Sequence, residues 1–374
     1  MSFTTTLLQW FHENGRQLPW RQTRDPYAIW LSEIILQQTR IEQGLPYWER
    51  FMQQWPTVED LAAATEQQVL RMWQGLGYYS RARNLHQAAR QIVAMGAFPH
   101  TLEGIRSLKG VGPYTAAAIG SIAFGLPAAV VDGNVFRLLA RHYGISTPIN
   151  TSEGRQEFTA LAQSLLPHST NGGNEGGEAV SLFNQAMMDF GAMICTPHSP
   201  HCTVCPLMET CSALRNNSIG MLPVKLKTLK VKERHIVYVY IRVQGQTAIR
   251  RRPAGDIWQG LYEPLFLEIK DEQAQESKVS QTSDSLSAQE SEVCRALANL
   301  SPSSPRLSLV CQNVKHVLTH RVLYADFYLW EATEKPSLPE GYFWIDEADI
   351  DQYALPRLVD ILLTTLHQHT PTTC

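Results

Sequence analysis

The sequence predicts two domains: a mainly helical one over residues 1–212 and an α+β one over 233–374, joined by a basic linker at 213–232. Three observations lead there. At 374 residues the chain exceeds one typical domain and gives each of two enough length to bury a core. Up to about residue 212, apolar residues recur at spacings of three and four among good helix formers, with no long β-branched alternation. Beyond the linker the period changes. Ile236, Tyr238 and Tyr240 alternate with Val237, Val239 and Ile241, a run without helical start or stop signals that reads as a largely buried strand, and Arg321–Trp330 reads as another.

Along the chain, Met1–Gln17 is amphipathic and has neither the basic leader nor the cleavage site of a signal peptide. Gly75-Leu76-Gly77, Gly110-Val111-Gly112-Pro113 and Asp132-Gly133-Asn134 are the sharpest helix breaks. The long apolar stretch Tyr114–Val131 is alanine-rich and interrupted by Gly125-Leu126-Pro127, so it reads as a buried core helix rather than a membrane span. His168–Glu178 reads as a flexible loop, and the Ser-, Gln- and Glu-rich segment around 271–305 as a mobile insertion. Cys294, Cys311 and Cys374 show no pairing pattern, which points to a reducing compartment: a cytoplasmic protein, nucleoid-associated if the cell is bacterial, with no membrane partner.

The net charge of -3 argues against nucleic acid until its distribution is read. Residues 213–254 carry 10 Lys+Arg against 1 Asp+Glu, while 255–374 carry 8 against 18. Lys225, Lys227, Lys230, Lys232 and Arg234 are candidates to track a phosphate backbone, extended by Arg250, Arg251 and Arg252; a solvated basic linker is the plainer alternative.

Cys195, Cys202, Cys205 and Cys211 are separated by six, two and five residues. Four thiols in one short loop point to a soft metal site, iron–sulfur or zinc, with a disulfide framework or chance clustering as the alternatives. Zinc favours paired C-x-x-C knuckles or finger spacing, and only one C-x-x-C occurs here; His198 and His201 lie inside the loop as competing ligands.

Leu108–Ala116 has the form of a helix-hairpin-helix turn, in which Gly110 and Gly112 allow close approach to a phosphate and the next helix offers its unpaired N–H groups. Asp132 follows 20 residues after Gly112; it is either a helix cap or a functional carboxylate. Glu33 stands in the otherwise apolar run Tyr27–Thr39 and lies either on a wet helix face or in a site that raises its pKa. One carboxyl held protonated and another held ionised is the division of labour that glycosidic cleavage requires.

Leu18-Pro19-Trp20-Arg21, Trp30-Leu31-Ser32-Glu33 with Leu36-Gln37-Gln38-Thr39, Gly75-Leu76-Gly77-Tyr78-Tyr79, the hairpin, Val131–Val135, Phe183–Asp189 and the cysteine loop together resemble MutY-type adenine DNA glycosylases over about residues 7–212. The resemblance implies an all-α helix-hairpin-helix glycosylase domain, a [4Fe-4S] cluster on Cys195, Cys202, Cys205 and Cys211, and a base excision repair enzyme acting as a monomer on duplex DNA that holds 8-oxoguanine:adenine or guanine:adenine mispairs. Glu33 then matches the acid that protonates adenine, and Asp132 the carboxylate that stabilises the sugar cation. Tyr114 stands where bifunctional relatives carry a Schiff-base lysine, and Lys109 is not expected to substitute, so the resemblance implies hydrolysis without strand cleavage. Trp20, Arg21, Leu36 and Gln37 match the adenine pocket, Asn134 belongs to the Asp132 motif, and Gln38 and Tyr78 match wedges that fill the emptied stack.

The C-terminal part resembles the family's Nudix-like domain more faintly, through Arg250–Pro253 and Trp258–Glu263, without an acidic Nudix metal-binding helix. Leu318-Thr319-His320 aligns with the family's Phe-Ser-His loop, implying that Thr319 and His320 read 8-oxoguanine; His316 and His320 as plain surface histidines are the alternative. Competing activities are a bifunctional oxidised-pyrimidine glycosylase of the endonuclease III type, opposed by Tyr114, and a non-catalytic iron–sulfur DNA-binding protein, opposed by the presence of both Glu33 and Asp132.

Overall fold

The computed structural model describes residues 2–167, 174–226, 231–269, 291, 293–300 and 305–369. Contacts divide the chain into two units, Met1–Ala64 with Arg83–Lys227, and Thr65–Ala82 with Thr228–Cys374. The sequence reading gives the first domain an unbroken run, whereas the stretch 65–82 groups with the C-terminal unit. The reason is tertiary: Glu66 pairs with Arg251, Gln74 donates to Asp360, and Leu70 lies against Gly260.

The helices in chain order are α1 (Phe3–Asn14), α2 (Pro26–Leu36), α3 (Ile41–Gln54), α4 (Val58–Ala63), α5 (Glu66–Trp73), α6 (Ser80–Met95), α7 (Leu102–Ser107), α8 (Pro113–Phe124), α9 (Gly133–Tyr143), α10 (Ser152–Ser164), α11 (Asn174–Met193), α12 (Ser212–Arg215) and, in the C-terminal unit, α13 (Arg357–His369). In the first unit α11 packs against α1, α8 and α9. Leu7, Trp10, Val135, Leu139, Phe158, Phe183 and Phe190 form the shared core. Asp25 caps α2 through the Tyr27 N–H, with Pro26 preset for the first turn. α8 is the buried helix expected from Tyr114–Val131, and no described helix is long and apolar enough to cross a membrane.

Two loop expectations need correction. Residues 168–173 lie outside the described part, but Asn174–Glu178 form the first turns of α11. Gly177 meets Gly125, which closes α8 at φ +65°, and a Cβ on Gly125 would fall 2.7 Å from the Gly177 Cα. Gly177, one of the glycines that imitate a loop in the sequence, is thus a helix-contact residue. Of the proposed insertion at 271–305, residues 271–290, 292 and 301–304 lie outside the described part. Residues 293–297, however, are helical, with Val293 and Leu297 buried. Two apolar residues at i, i+4 suffice to dock a short helix, and the polar average around them hides the pair.

The C-terminal unit holds a mixed sheet of β1 (Lys232–Val243), β2 (Gln246–Arg251), β3 (Tyr262–Glu263), β4 (Leu265–Ile269), β5 (Leu307–Val317), β6 (Arg321–Glu331) and β7 (Tyr342–Asp346), in the order β3-β2-β1-β6-β5 with β4 paired to β1 and β7 to β2. β1 and β6 run parallel. Ile236, Tyr238 and Tyr240 face α13 through Leu358, Val359 and Leu362. Val237, Val239 and Ile241 face the opposite layer, where Val293 and Leu297 sit. Burial on both faces explains the unbroken apolar run of β1.

The basic run does not serve as a phosphate track throughout. Arg234 forms two hydrogen bonds to Asp256, at 2.8 and 2.9 Å. Arg250 and Arg252 both pair with the fully buried Glu263, Arg252 also pairs with Asp256, and Arg251 pairs with Glu66. These arginines are taken up by carboxylates of their own unit, with Glu263 fully buried and Asp256 and Glu66 partly exposed. Lys225 and Lys232 stay exposed, and Lys227 and Lys230 lie outside the described residues.

Replacing Leu297 by Ala is expected to destabilise the C-terminal unit by about 2–5 kcal/mol. Urea denaturation followed by tryptophan fluorescence reads this; an unshifted midpoint would mean that the short helix is not part of the core.

Candidate active site

Glu33, Tyr114 and Asp132 come from α2, α8 and the N-terminal cap of α9 and line one open cleft of about 430 Å³ in the first unit. That volume suits a small planar ligand. α2 buries Tyr27–Ser32, Ile34 and Ile35, so Glu33 is its charged residue in an apolar wall. The Tyr114 hydroxyl donates to Glu33 Oε2 at 3.2 Å. Burial pushes Glu33 up to about 7; the Tyr114 hydrogen bond opposes this, the Asp132 charge adds to it, and Arg21 opposes it.

Asp132 is both of the things its sequence context allows, a helix cap and a cleft carboxylate. Its Oδ1 accepts from the N–H groups of Asn134 and Val135 at 2.9 and 2.8 Å, and Oδ2 from the Asn134 amide at 2.7 Å. Burial raises its pKa against those donors and against Arg137. Asp132 thus accepts three hydrogen bonds and Glu33 one from Tyr114, which favours the charge on Asp132 and the shared proton on Glu33.

Trp20, Arg21, Leu36, Gln37 and Asn134 line the same cleft. Trp20 is buried edge-on to Trp48, with ring centroids 5.5 Å apart, and the Gln37 amide donates to Thr115 Oγ1 at 3.2 Å. Arg21 is not a free ligand. Its two Nη atoms each reach Asp189 at 2.8 Å, while Arg16 adds its N–H and guanidinium to the same carboxylate. Asp189 is fully buried, and burial would raise its pKa, but the hydrogen bonds from Arg21 and Arg16 outweigh this and hold it below the usual range. No role for Asp189 emerges from the sequence, although its signal, a lone acid closing an apolar run, is the same one that marks Glu33.

Gln38 lies just beyond α2, exposed and at φ +57°, and does not line the cleft. Tyr78, Thr319 and His320 belong to the second unit. There Tyr78 is 48% exposed at φ +46°, and its hydroxyl shares a 2.6 Å hydrogen bond with Thr319 Oγ1 on the exposed β5–β6 turn that also carries His320. His316 packs against Trp258 and burial lowers its pKa, so it is not a plain surface histidine. In the hairpin, Gly110 at φ +79° has no room for a Cβ, which would meet Asn84 at 2.7 Å, whereas Gly112 faces open space and no side chain caps α8.

Cys195, Cys202, Cys205 and Cys211 line a second cavity with Leu138, Phe190 and Leu207 as apolar walls. Arg141 is buried beside it, 3.6 Å from Cys195 Sγ, and bonds the carbonyls of Thr196, Pro197, Ile219 and Leu222. Arg137, one turn earlier on α9, links Asn134 Oδ1 at 2.8 Å to the Cys195 carbonyl at 2.6 Å. One helix therefore touches both the carboxylate cleft and the cysteine loop. Among the described residues, no three His, Cys, Asp or Glu side chains converge on a point suited to one ion.

Residues 31–164 match the family model for HhH-GPD superfamily base excision DNA repair proteins, and residues 237–365 match the NUDIX domain model. The adenine DNA glycosylase of Buchnera aphidicola subsp. Schizaphis graminum is 34% identical over 263 residues, covering 70% of this chain and 73% of that protein. The human adenine DNA glycosylase is 42% identical over 223 residues, covering 57% of this chain and 39% of the human one. A thermostable thymine-DNA glycosylase superposes with a TM-score of 0.51 at 32% identity, covering 57% of this chain and 95% of its own.

Asp189→Asn leaves two arginines around a neutral group and is expected to lower stability by about 3–5 kcal/mol near neutral pH. Because the folded-state pKa is depressed, the stabilisation is complete above the unfolded value of about 3.9 and is lost as pH falls through the folded one. Denaturant titrations of both proteins should therefore converge toward low pH, and a gap independent of pH would refute the assignment.

Proposed function

The chain belongs to the family of adenine DNA glycosylases, and from that premise we propose that it excises adenine from DNA by hydrolysis, with Glu33 as general acid and Asp132 as the stabilising carboxylate. The observation that carries the reading is the pair of carboxyl groups in one cleft with unequal hydrogen bonding, Glu33 poised near 7 and Asp132 held by three donors. Glu33 protonates a ring nitrogen of the extruded base. The bond between the sugar carbon and adenine then breaks, its electron pair leaving with the base, and Asp132 faces the positive charge that develops on the sugar. Water adds to that carbon, and its proton passes to the Glu33 carboxylate. Tyr114 offers a hydroxyl rather than an amine, so the product is an abasic site in an intact strand.

Arg21, fixed by Asp189, and Trp20, fixed by Trp48, act as a rigid wall for the base rather than as proton donors. Gln38 and Tyr78 are the wedges; their exposed side chains on left-handed backbones support that use. Gly110, Gly112 and the uncapped start of α8 receive a phosphate. The C-terminal unit reads the opposite base through Thr319 and His320, with 8-oxoguanine preferred to guanine.

The four thiols fit a [4Fe-4S] cluster. Their spacing of six, two and five residues, with a single C-x-x-C, favours such a cluster over zinc. When bound, such a group cross-links the loop through four thiolate bonds. Arg137 and Arg141 carry that order into α9 and so to Asp132.

In single-turnover release of adenine from an 8-oxoguanine:adenine duplex, Glu33→Gln is expected to lose at least about 10²-fold. The wild-type rate should fall as pH rises through about 7, because the acid must be protonated. Strand breaks should appear only after alkali, and Thr319→Ala should narrow the preference for 8-oxoguanine over guanine. Wild-type protein that leaves adenine untouched, or cuts an oxidised pyrimidine instead, would overturn the reading. Cys202→Ser is expected to reduce folded yield and DNA affinity together; a mutant lacking iron but unchanged in both would remove the structural role of the cysteine loop.

A further inference from the structure

The turn that presents Tyr78 is braced from beneath by one arginine. Gly75 and Gly77 have φ of +98° and +71°, and Tyr78 follows at +46°, so three left-handed residues crowd into one reversal between α5 and α6. Trp73 Nε1 donates to the Gly77 carbonyl at 3.0 Å, and the Gly75 N–H reaches the Tyr79 hydroxyl at 3.4 Å. Arg81, in the first turn of α6, is 9% exposed. Its Nη2 donates to the carbonyls of Leu76 and Gly77 at 3.3 and 3.4 Å. Its guanidinium carbon lies 5.1 Å from the centroid of the Trp73 ring and 5.5 Å from that of Tyr78. Only the outer end of Tyr78 is tied elsewhere among these contacts, through its hydroxyl to Thr319.

We propose that Arg81 is the positioning residue that presets Tyr78 for insertion beside the base opposite the target adenine. The proposal rests on the reading of Tyr78 as a wedge. Inserting a side chain into a base stack requires its backbone and ring to be ordered, and ordering them before DNA arrives removes that entropy loss from binding. A guanidinium suits the task because its plane offers several donors to the turn carbonyls while the cation contacts aromatic rings. A lysine ammonium keeps the charge but lacks the planar fork. Burial lowers the Arg81 pKa to about 10, which leaves it charged at neutral pH, so the contact with the rings persists under working conditions.

The test compares full-length, iron-loaded wild type, Arg81→Lys, Tyr78→Leu and the double variant. Measured are affinity for an 8-oxoguanine:adenine duplex, adenine release at saturating enzyme, and fluorescence of 2-aminopurine placed next to the 8-oxoguanine. Arg81→Lys is expected to weaken affinity about tenfold, the size of roughly one hydrogen bond from a charged donor to the turn carbonyls, with a smaller change in the release rate. It should alter the fluorescence of the saturated complex, which loss of folded protein alone would not do, and add no further loss in the Tyr78→Leu background. A full additional tenfold loss in that background, or unchanged affinity in Arg81→Lys, overturns the proposal while leaving the wedge reading intact. If Tyr78→Leu itself changes neither affinity nor fluorescence, the wedge reading fails and the proposal with it. Should Arg81→Lys not fold, Arg81→Gln, which retains one amide donor, replaces it with the same expected outcomes.

Discussion

Two carboxylates share one half-buried cleft in the first unit, and most of what surrounds them follows from keeping their charges unequal. Bringing Glu33 and Asp132 together out of water raises both pKa values, and the protein separates them by hydrogen bonding rather than by distance. Asp132 obtains its donors from the exposed start of α9, where N–H groups have no partners within the helix. The cap of α9 and the hydrogen bonds that favour a charge on Asp132 are therefore the same interaction. Glu33 sits in an apolar helix with a phenol as its donor and keeps its proton near neutral pH.

That arrangement places a demand on α9, which must hold its first turn still. Its apolar face packs into the core against α11 and α10. Its basic face, Arg137 and Arg141, bonds carbonyls of the cysteine loop and of the residues that follow. Asp189 plays the matching part on the other side of the cleft, holding Arg16 and Arg21 through buried charge-assisted hydrogen bonds. Arg137 thus holds Asn134 beside Asp132, and Asp189 holds the two arginines that line the cleft.

The C-terminal unit solves a different problem with the same chemistry. Its sheet is covered on both faces, so the ionic side chains of the β2–β3 region must find partners inside the unit. Glu263 and Asp256 supply them for Arg234, Arg250 and Arg252, with Phe266 stacked among the three guanidinium groups. A basic stripe in the sequence thus becomes an internal ion-pair network. The exposed polar groups left for recognition lie on the β5–β6 turn and on the Tyr78 reversal, which meet through one hydrogen bond.

Local pattern alone determined the helical first domain, the two-faced strand β1 and the four-cysteine loop, because helix period, strand alternation and ligand spacing are visible within a dozen residues, whereas Glu33 and Asp132 stood out only as candidates that the family resemblance singled out. Even Gly110 was legible, since a hairpin turn demands a glycine at its left-handed backbone. What only the tertiary structure decided is the set of relations between elements: that residues 65–82 group with the C-terminal unit, that Asp189 serves Arg21, that Arg252 answers Glu263, and that Val293 and Leu297 are core rather than insertion. Asp189 lies 168 residues from Arg21, Arg252 and Glu263 are 11 residues apart but meet only across the β2–β3 pairing, and Val293 with Leu297 is an apolar pair diluted by polar neighbours. Burial, which turns a surface charge into a structural one, is a property of the folded packing and has no local signature in the chain.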